Sequence, residues 1–109
     1  MTAKFDFGSL GQPFEATWPV RVPVPQDGGT VVTQEFLARF RLLSSEQEAE
    51  AKASEDPDAF HRAFWIGLAG EDAAAFSPEL AASMLARPYI RRALLNAYFE
   101  FVSGTPAKN

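Results

Sequence analysis

The chain has 109 residues, 47% apolar and 13% aromatic, which suits one domain with a hydrophobic core and argues against global disorder. Without cysteine it can form no disulfide scaffold, zinc ribbon, CxxC redox site or Cys nucleophile, and a lone histidine, His61, cannot build a multi-His metal site. The net charge of −4 argues against general nucleic-acid binding, and no apolar run approaches the ~20 residues of a membrane span. The opening MTAKFDFGSLGQ lacks the long apolar stretch of a signal peptide, so the expected location is the cytoplasm.

Residues 1–16 fit either a short extra strand or a loose arm: Phe5 and Phe7 alternate, but Gly8 and Gly11 follow closely. Residues 17–43 read as a β-hairpin. Trp18, Val20, Val22 and Val24 share one parity, the period of a strand with one buried face. Pro19, Pro23 and Pro25 share the other, so their missing donors all fall on one edge, the mark of a proline-guarded edge strand. In the second run, residues 30–43, Val32, Phe36, Ala38, Phe40 and Leu42 share a face with Gln34, opposite Thr33, Glu35, Arg39 and Arg41. Both apolar faces use even numbers, so paired residues must have an even sum. A three-residue loop, Asp27-Gly28-Gly29, closed by Gln26 and Thr30, meets that condition and pairs Val22 with Gln34 and Val20 with Phe36. It also places Pro23 and Pro25 at positions that need no N–H toward the partner strand.

Residues 44–104 read as three to four helices, giving an α+β chain that ends in a short tail, residues 105–109. Ser44 or Ser45 caps an acidic helix, with Gln47 or Glu48 completing a capping box and Glu48 and Lys52 forming an i,i+4 pair. This helix has almost no apolar face and is expected to be exposed. Asp56-Pro57 opens a second helix carrying Phe60, Ala63, Phe64, Gly67 and Leu68 at helical spacing, with Gly70 as its stop. Ser77-Pro78-Glu79 opens a third, with Leu80, Met84 and Leu85 as its stripe. Pro88 opens the last, which runs to about Ser103 before Gly104 and Pro106. Its residues Ile90, Leu94, Ala97, Tyr98 and Phe101 form one apolar face and Leu95, Phe99 and Val102 a second. So wide an apolar circumference is either central to the core or shared with a partner.

No catalytic constellation is present. His61 reads as a surface or half-buried residue, and Asp56 and Asp58 as capping groups. Gly67-Leu68-Ala69-Gly70 is no phosphate loop, and no GxSxG, HExxH or EF-hand pattern occurs. Arg91 and Arg92 project about 100° apart on a helix and form no anion clamp. A non-enzyme without cofactor or metal is therefore expected, and the candidate protein-interaction residues are Arg91, Arg92, Leu95, Phe99 and Val102. Residues 44–72 hold eight carboxylates against Lys52 and Arg62, whereas residues 84–109 hold Arg87, Arg91, Arg92 and Lys108 against Glu100. These are either solvated faces or opposite poles that steer head-to-tail self-association into a homo-oligomer.

The order of short segments resembles the tail assembly chaperone family of long-tailed phages and prophages. The segments are Trp18-Pro19-Val20-Arg21-Val22-Pro23-Val24-Pro25, Gly28-Gly29, and Gln34-Glu35-Phe36-Leu37-Ala38-Arg39-Phe40-Arg41. Phe64-Trp65-Ile66-Gly67, Phe76-Ser77-Pro78-Glu79-Leu80, Pro88-Tyr89-Ile90-Arg91-Arg92-Ala93-Leu94, Ala97-Tyr98-Phe99-Glu100 and the ending Lys108-Asn109 follow in the same order. The segment between Gly67 and Phe76 is shorter than is usual there. The resemblance covers residues 17–109. It implies a non-catalytic helper in the bacterial host cytoplasm that coats the tape measure protein, helps recruit tail tube subunits, binds neither nucleic acid nor membrane, and is absent from the finished tail. It also implies a longer product made by a backward frameshift. The terminal Ala107-Lys108-Asn109 permits the slip heptamer A-AAA-AAC if the last base of the Ala107 codon is A. The alternatives are a small structural tail or head component retained in the particle, and a bacterial adaptor or secretion-type chaperone.

Overall fold

The computed structural model describes residues 2–105; the ending Ala107-Lys108-Asn109 and the stop signal Pro106 lie outside them. Among these residues the chain is α+β: a three-stranded antiparallel sheet in the order β1-β2-β3, with four α-helices. After a 3-10 turn at Phe7–Gly11, capped by the Asp6 side chain, come β1 (Glu15–Pro25) and β2 (Val31–Arg41). Then follow α1 (Ser45–Ala53), α2 (Ala59–Phe64), β3 (Trp65–Leu68), a 3-10 turn at Gly70–Ala75, α3 (Pro78–Leu85) and α4 (Pro88–Ser103).

The hairpin has the register that parity demands. Val22 faces Gln34 and Val20 faces Phe36, across a turn at Asp27–Gly29 with Gly28 and Gly29 at φ of 85° and 88°. The Gln26 N–H donates to the Thr30 carbonyl at 2.8 Å. Strict alternation then leaves Pro25/Val31, Pro23/Thr33 and Pro19/Leu37 as non-hydrogen-bonded pairs, with each proline nitrogen turned to the open edge. On the solvent face the charges pair across the strands: Arg21 with Glu35 at 3.1 Å, and Arg39 and Arg41 both with Glu15.

The caps follow the sequence as well. Ser44 and Gln47 form the capping box of α1, and Lys52 meets Glu48 at 2.7 Å. Ser77 accepts from the Leu80 N–H ahead of Pro78, and α4 ends on Gly104 in the left-handed conformation. The Gly104 N–H donates to the Phe101 carbonyl and the Thr105 N–H to the Glu100 carbonyl, which together close a Schellman cap.

Three expectations are corrected. The helix expected to run from Pro57 to Gly70 is cut to Ala59–Phe64, because residues 65–68 leave it to pair antiparallel with β2. Trp65-Ile66-Gly67-Leu68 suits a strand as well as a helix, and the second edge of β2 offers backbone partners that a lone helix does not. Val32 and Leu42 were expected on the buried face, yet they are 48% and 42% exposed. The 11-residue β1 reaches about 36 Å, whereas the 16-residue α4 packed on it spans about 24 Å, so the hairpin outruns its cover. His61 is buried rather than superficial, at 6% exposure.

The core lies where α4 crosses β1 and α2. Phe40, Phe64, Leu94 and Val20 are sealed from solvent, and the Tyr98 ring stacks on Phe64 at 4.1 Å between centroids. The Leu43 N–H donates to the Tyr98 hydroxyl at 3.1 Å, pinning the chain as it leaves β2. The first 16 residues divide: Glu15 and Ala16 join β1, while the described residues before them, 2–14, hold no strand. The even parity extends back to Phe14, whose ring stacks on Phe101 at 5.5 Å although it stays half exposed.

Candidate protein-interaction site

Helix α4 carries all five candidate residues and divides them. Its inner face, Leu94, Ala97, Tyr98 and Phe101 with half-buried Ile90, is core, as the spacing requires. Its outer face is open: Phe99 is 50% and Val102 43% exposed, and Leu95 is half-buried. At about 100° per residue, Arg92, Leu95, Phe99 and Val102 fall within an arc of about 80°, so they form one stripe three helical turns long.

Arg91 and Arg92 part company. The Arg91 guanidinium turns inward to the Asp58 carboxylate and the Pro57 carbonyl, fastening the start of α2 to α4. It is therefore engaged within the fold and adds no open cation to the stripe. Arg92 is exposed and makes no hydrogen bond or ion pair among the described residues. On the α2 side the helix begins only at Ala59, so the expected cap at Asp56 with Pro57 as first helical residue is corrected. Asp56 accepts from the Asp58 N–H at 2.9 Å in the turn ahead of the helix and pairs with Arg62. Asp58, at the cap position, turns its carboxylate to Arg91 and makes no side-chain capping bond to the helix.

His61 completes this junction. Its Nε2 lies 3.2 Å from the Arg91 carbonyl, and the ring packs on Phe64 at 5.4 Å. Burial, and next the positive Arg91, push its pKa below the ordinary value, against the weaker pull of the Arg91 carbonyl and Asp58. The neutral ring donates its Nε2–H to that carbonyl and leaves Nδ1 buried without a partner. Arg91, the basic group against it, is already paired with Asp58, and the imidazole is one wall of the junction between α2 and α4. The sequence did not expose this junction, because residues 58, 61 and 91 meet only once α2 and α4 have packed.

Shallow hollows mark the surface, one of them beside α4. His61, Pro88, Arg91, Arg92 and Leu95 line one of about 260 Å³ at the start of the stripe. A larger one, about 570 Å³, lies between the N-terminal segment and the β2–α1 corner, walled by Leu10, Phe14, Leu42 and Gln47 among others. Phe5, Phe7 and Leu10 in that segment are also exposed. The sequence reading took Phe5 and Phe7 only as the alternation of a possible strand and named none of the three as an interaction residue; the signal available was their density of large apolar groups ahead of β1. Among the described residues no group of acidic or histidine side chains could hold a metal ion, and no helix is long and apolar enough to cross a membrane. No protein-family model matches the chain, and no significant match is found among curated proteins or solved structures.

Proposed function

We propose that this chain is a non-catalytic tail assembly chaperone of a long-tailed phage or prophage. In this reading it binds the tape measure protein in the host cytoplasm, shields it until tail tube subunits are recruited, and leaves before the tail is complete. It works without cofactor, membrane or nucleic acid. The order of short segments that resembles that family motivates the reading, and one observation carries it physically: Phe99 and Val102 are exposed, beside half-buried Leu95, on a helix whose opposite face is core. A holdase needs an apolar grip held by a rigid element, with charge elsewhere to stay soluble. Here α4 supplies the first, and the exposed, acidic α1 supplies the second.

The test is to read the genes flanking this one for a tape measure protein, co-express the two, and follow with mass spectrometry of purified particles. The reading expects the tape measure protein to stay soluble only with the chaperone present, and the chaperone to be missing from finished tails. A chain retained stoichiometrically in the particle would make it a structural component instead.

A further inference from the structure

The sheet offers a partner little to pair with. Along the open edge of β1 the outward-facing nitrogens belong to residues 15, 17, 19, 21, 23 and 25, and Pro19, Pro23 and Pro25 carry no N–H. The other edge, β3, has four residues and is interrupted by a register shift opposite Arg39 and Phe40. Recognition by strand addition, which draws its affinity from main-chain hydrogen bonds, is thus disfavoured at both ends.

The outer face of α4 offers a different geometry. Arg92, Leu95, Phe99 and Val102 lie at i, i+3, i+7 and i+10, the row spacing into which side chains of a second helix pack. One end of this stripe is apolar. The other is the exposed guanidinium of Arg92 beside the hollow that Leu95, Pro88 and His61 help to line. Arg91, one residue away, is paired with Asp58, so Arg92 is the cation that the stripe itself presents at this end.

We infer that the segment received by α4 is an amphipathic helix whose apolar stripe lies on Leu95, Phe99 and Val102 and whose flanking carboxylate pairs with Arg92. Taking α4 as the client face rests on the function proposed above. The carboxylate sets the polarity of docking, because among the described residues the stripe carries its cation at the Arg92 end. The overall charge of −4 sets a background that repels acidic segments elsewhere on the surface.

The experiment uses the full chain and three synthetic peptides of about 20 residues, long enough to hold a helix. The first carries leucines at helical spacing with two glutamates beyond one end. The second is the same with two central prolines, and the third replaces the glutamates by lysines. Fluorescence anisotropy gives the affinities, and amide shifts in NMR locate the contact. The first peptide is expected to bind with shifts confined to the outer face of α4, and the proline peptide at least tenfold more weakly. Arg92→Glu is expected to weaken the first peptide by about fivefold and to bind the lysine peptide better than the unaltered chain does. Equal binding of the proline peptide, shifts along β1 or β3, or no binding of the first peptide would overturn the inference. The two readings fail separately: a tape measure protein kept soluble by a chain that ignores the helical peptide removes only the helical client. A chain that takes the peptide on α4 but stays in finished particles removes only the chaperone role.

Discussion

Protonating His61 in the folded chain would set a second positive charge beside Arg91, against the rings of Phe60 and Phe64. The unfolded chain has no such penalty, so its histidine takes up a proton at the ordinary value of 6.5 while the folded one resists. Stability is therefore full above pH 6.5 and declines as the pH falls toward the lowered folded-state value. Urea midpoints measured from pH 7.5 down to about pH 5, where carboxylates begin to contribute, should fall for the native chain and stay flatter for His61→Gln. Equal slopes would place the titrating group elsewhere. Tyr98 makes the complementary case of a buried hydroxyl with one job. Burial raises its pKa, and its oxygen accepts the Leu43 N–H. Tyr98→Phe keeps the stacked ring but leaves that N–H without its partner, at an expected cost of about 1–2 kcal/mol, read from chemical denaturation.

Among the elements, the hairpin was legible because its constraints are local and redundant. The parity of Trp18, Val20, Val22 and Val24, the opposite parity of three prolines and the glycine pair at the turn all specify one register, and the strands adopt it. The caps at Ser44, Ser77 and Gly104 were legible for a similar reason, since each is satisfied within a few residues. Strand β3 was hidden. Gly67 and Leu68 continue the helical spacing of Phe60 and Phe64, and what draws them off is the edge of β2, more than twenty residues away in the chain. Of the candidate site, the outward stripe was legible from its 3.6-residue period, while the diversion of Arg91 to Asp58 depended on tertiary contact. The proline edge yields its own prediction. Replacing Pro19, Pro23 and Pro25 together with threonine restores three outward donors on a strand of high β-propensity. The variant should keep its fold but associate through β1, giving a concentration-dependent rise in mass by light scattering. A variant that stays as monodisperse as the parent would mean that something other than the missing donors guards that edge.

For the molecule as a whole, the question is how so small a chain spares apolar surface without losing its core. Its radius of gyration is 15.2 Å, against about 13 Å expected for a compact chain of this length. The excess reflects projecting parts such as the hairpin tip, where Val31 and Val32 lie beyond the reach of α4. The buried side chains instead concentrate where α4 meets β1 and α2, so α4 must hold the core with one face while the other stays open. That division makes a sharp pair of expectations. Leu94 is sealed from solvent, and Leu94→Ala should cost about 2–5 kcal/mol, a large part of the 5–15 kcal/mol typical of a domain. Phe99 is half exposed five residues later, and Phe99→Asp should change stability by no more than about 1 kcal/mol while abolishing capture of the tape measure protein in co-expression. Urea denaturation and pull-down on the same two variants read both quantities. If Phe99→Asp unfolds the chain as Leu94→Ala is expected to weaken it, the outer face belongs to the core in solution, and the stripe is no docking surface. If Phe99→Asp is stable and still retains its client, the grip lies elsewhere, with the exposed Phe5, Phe7 and Leu10 the next residues to change.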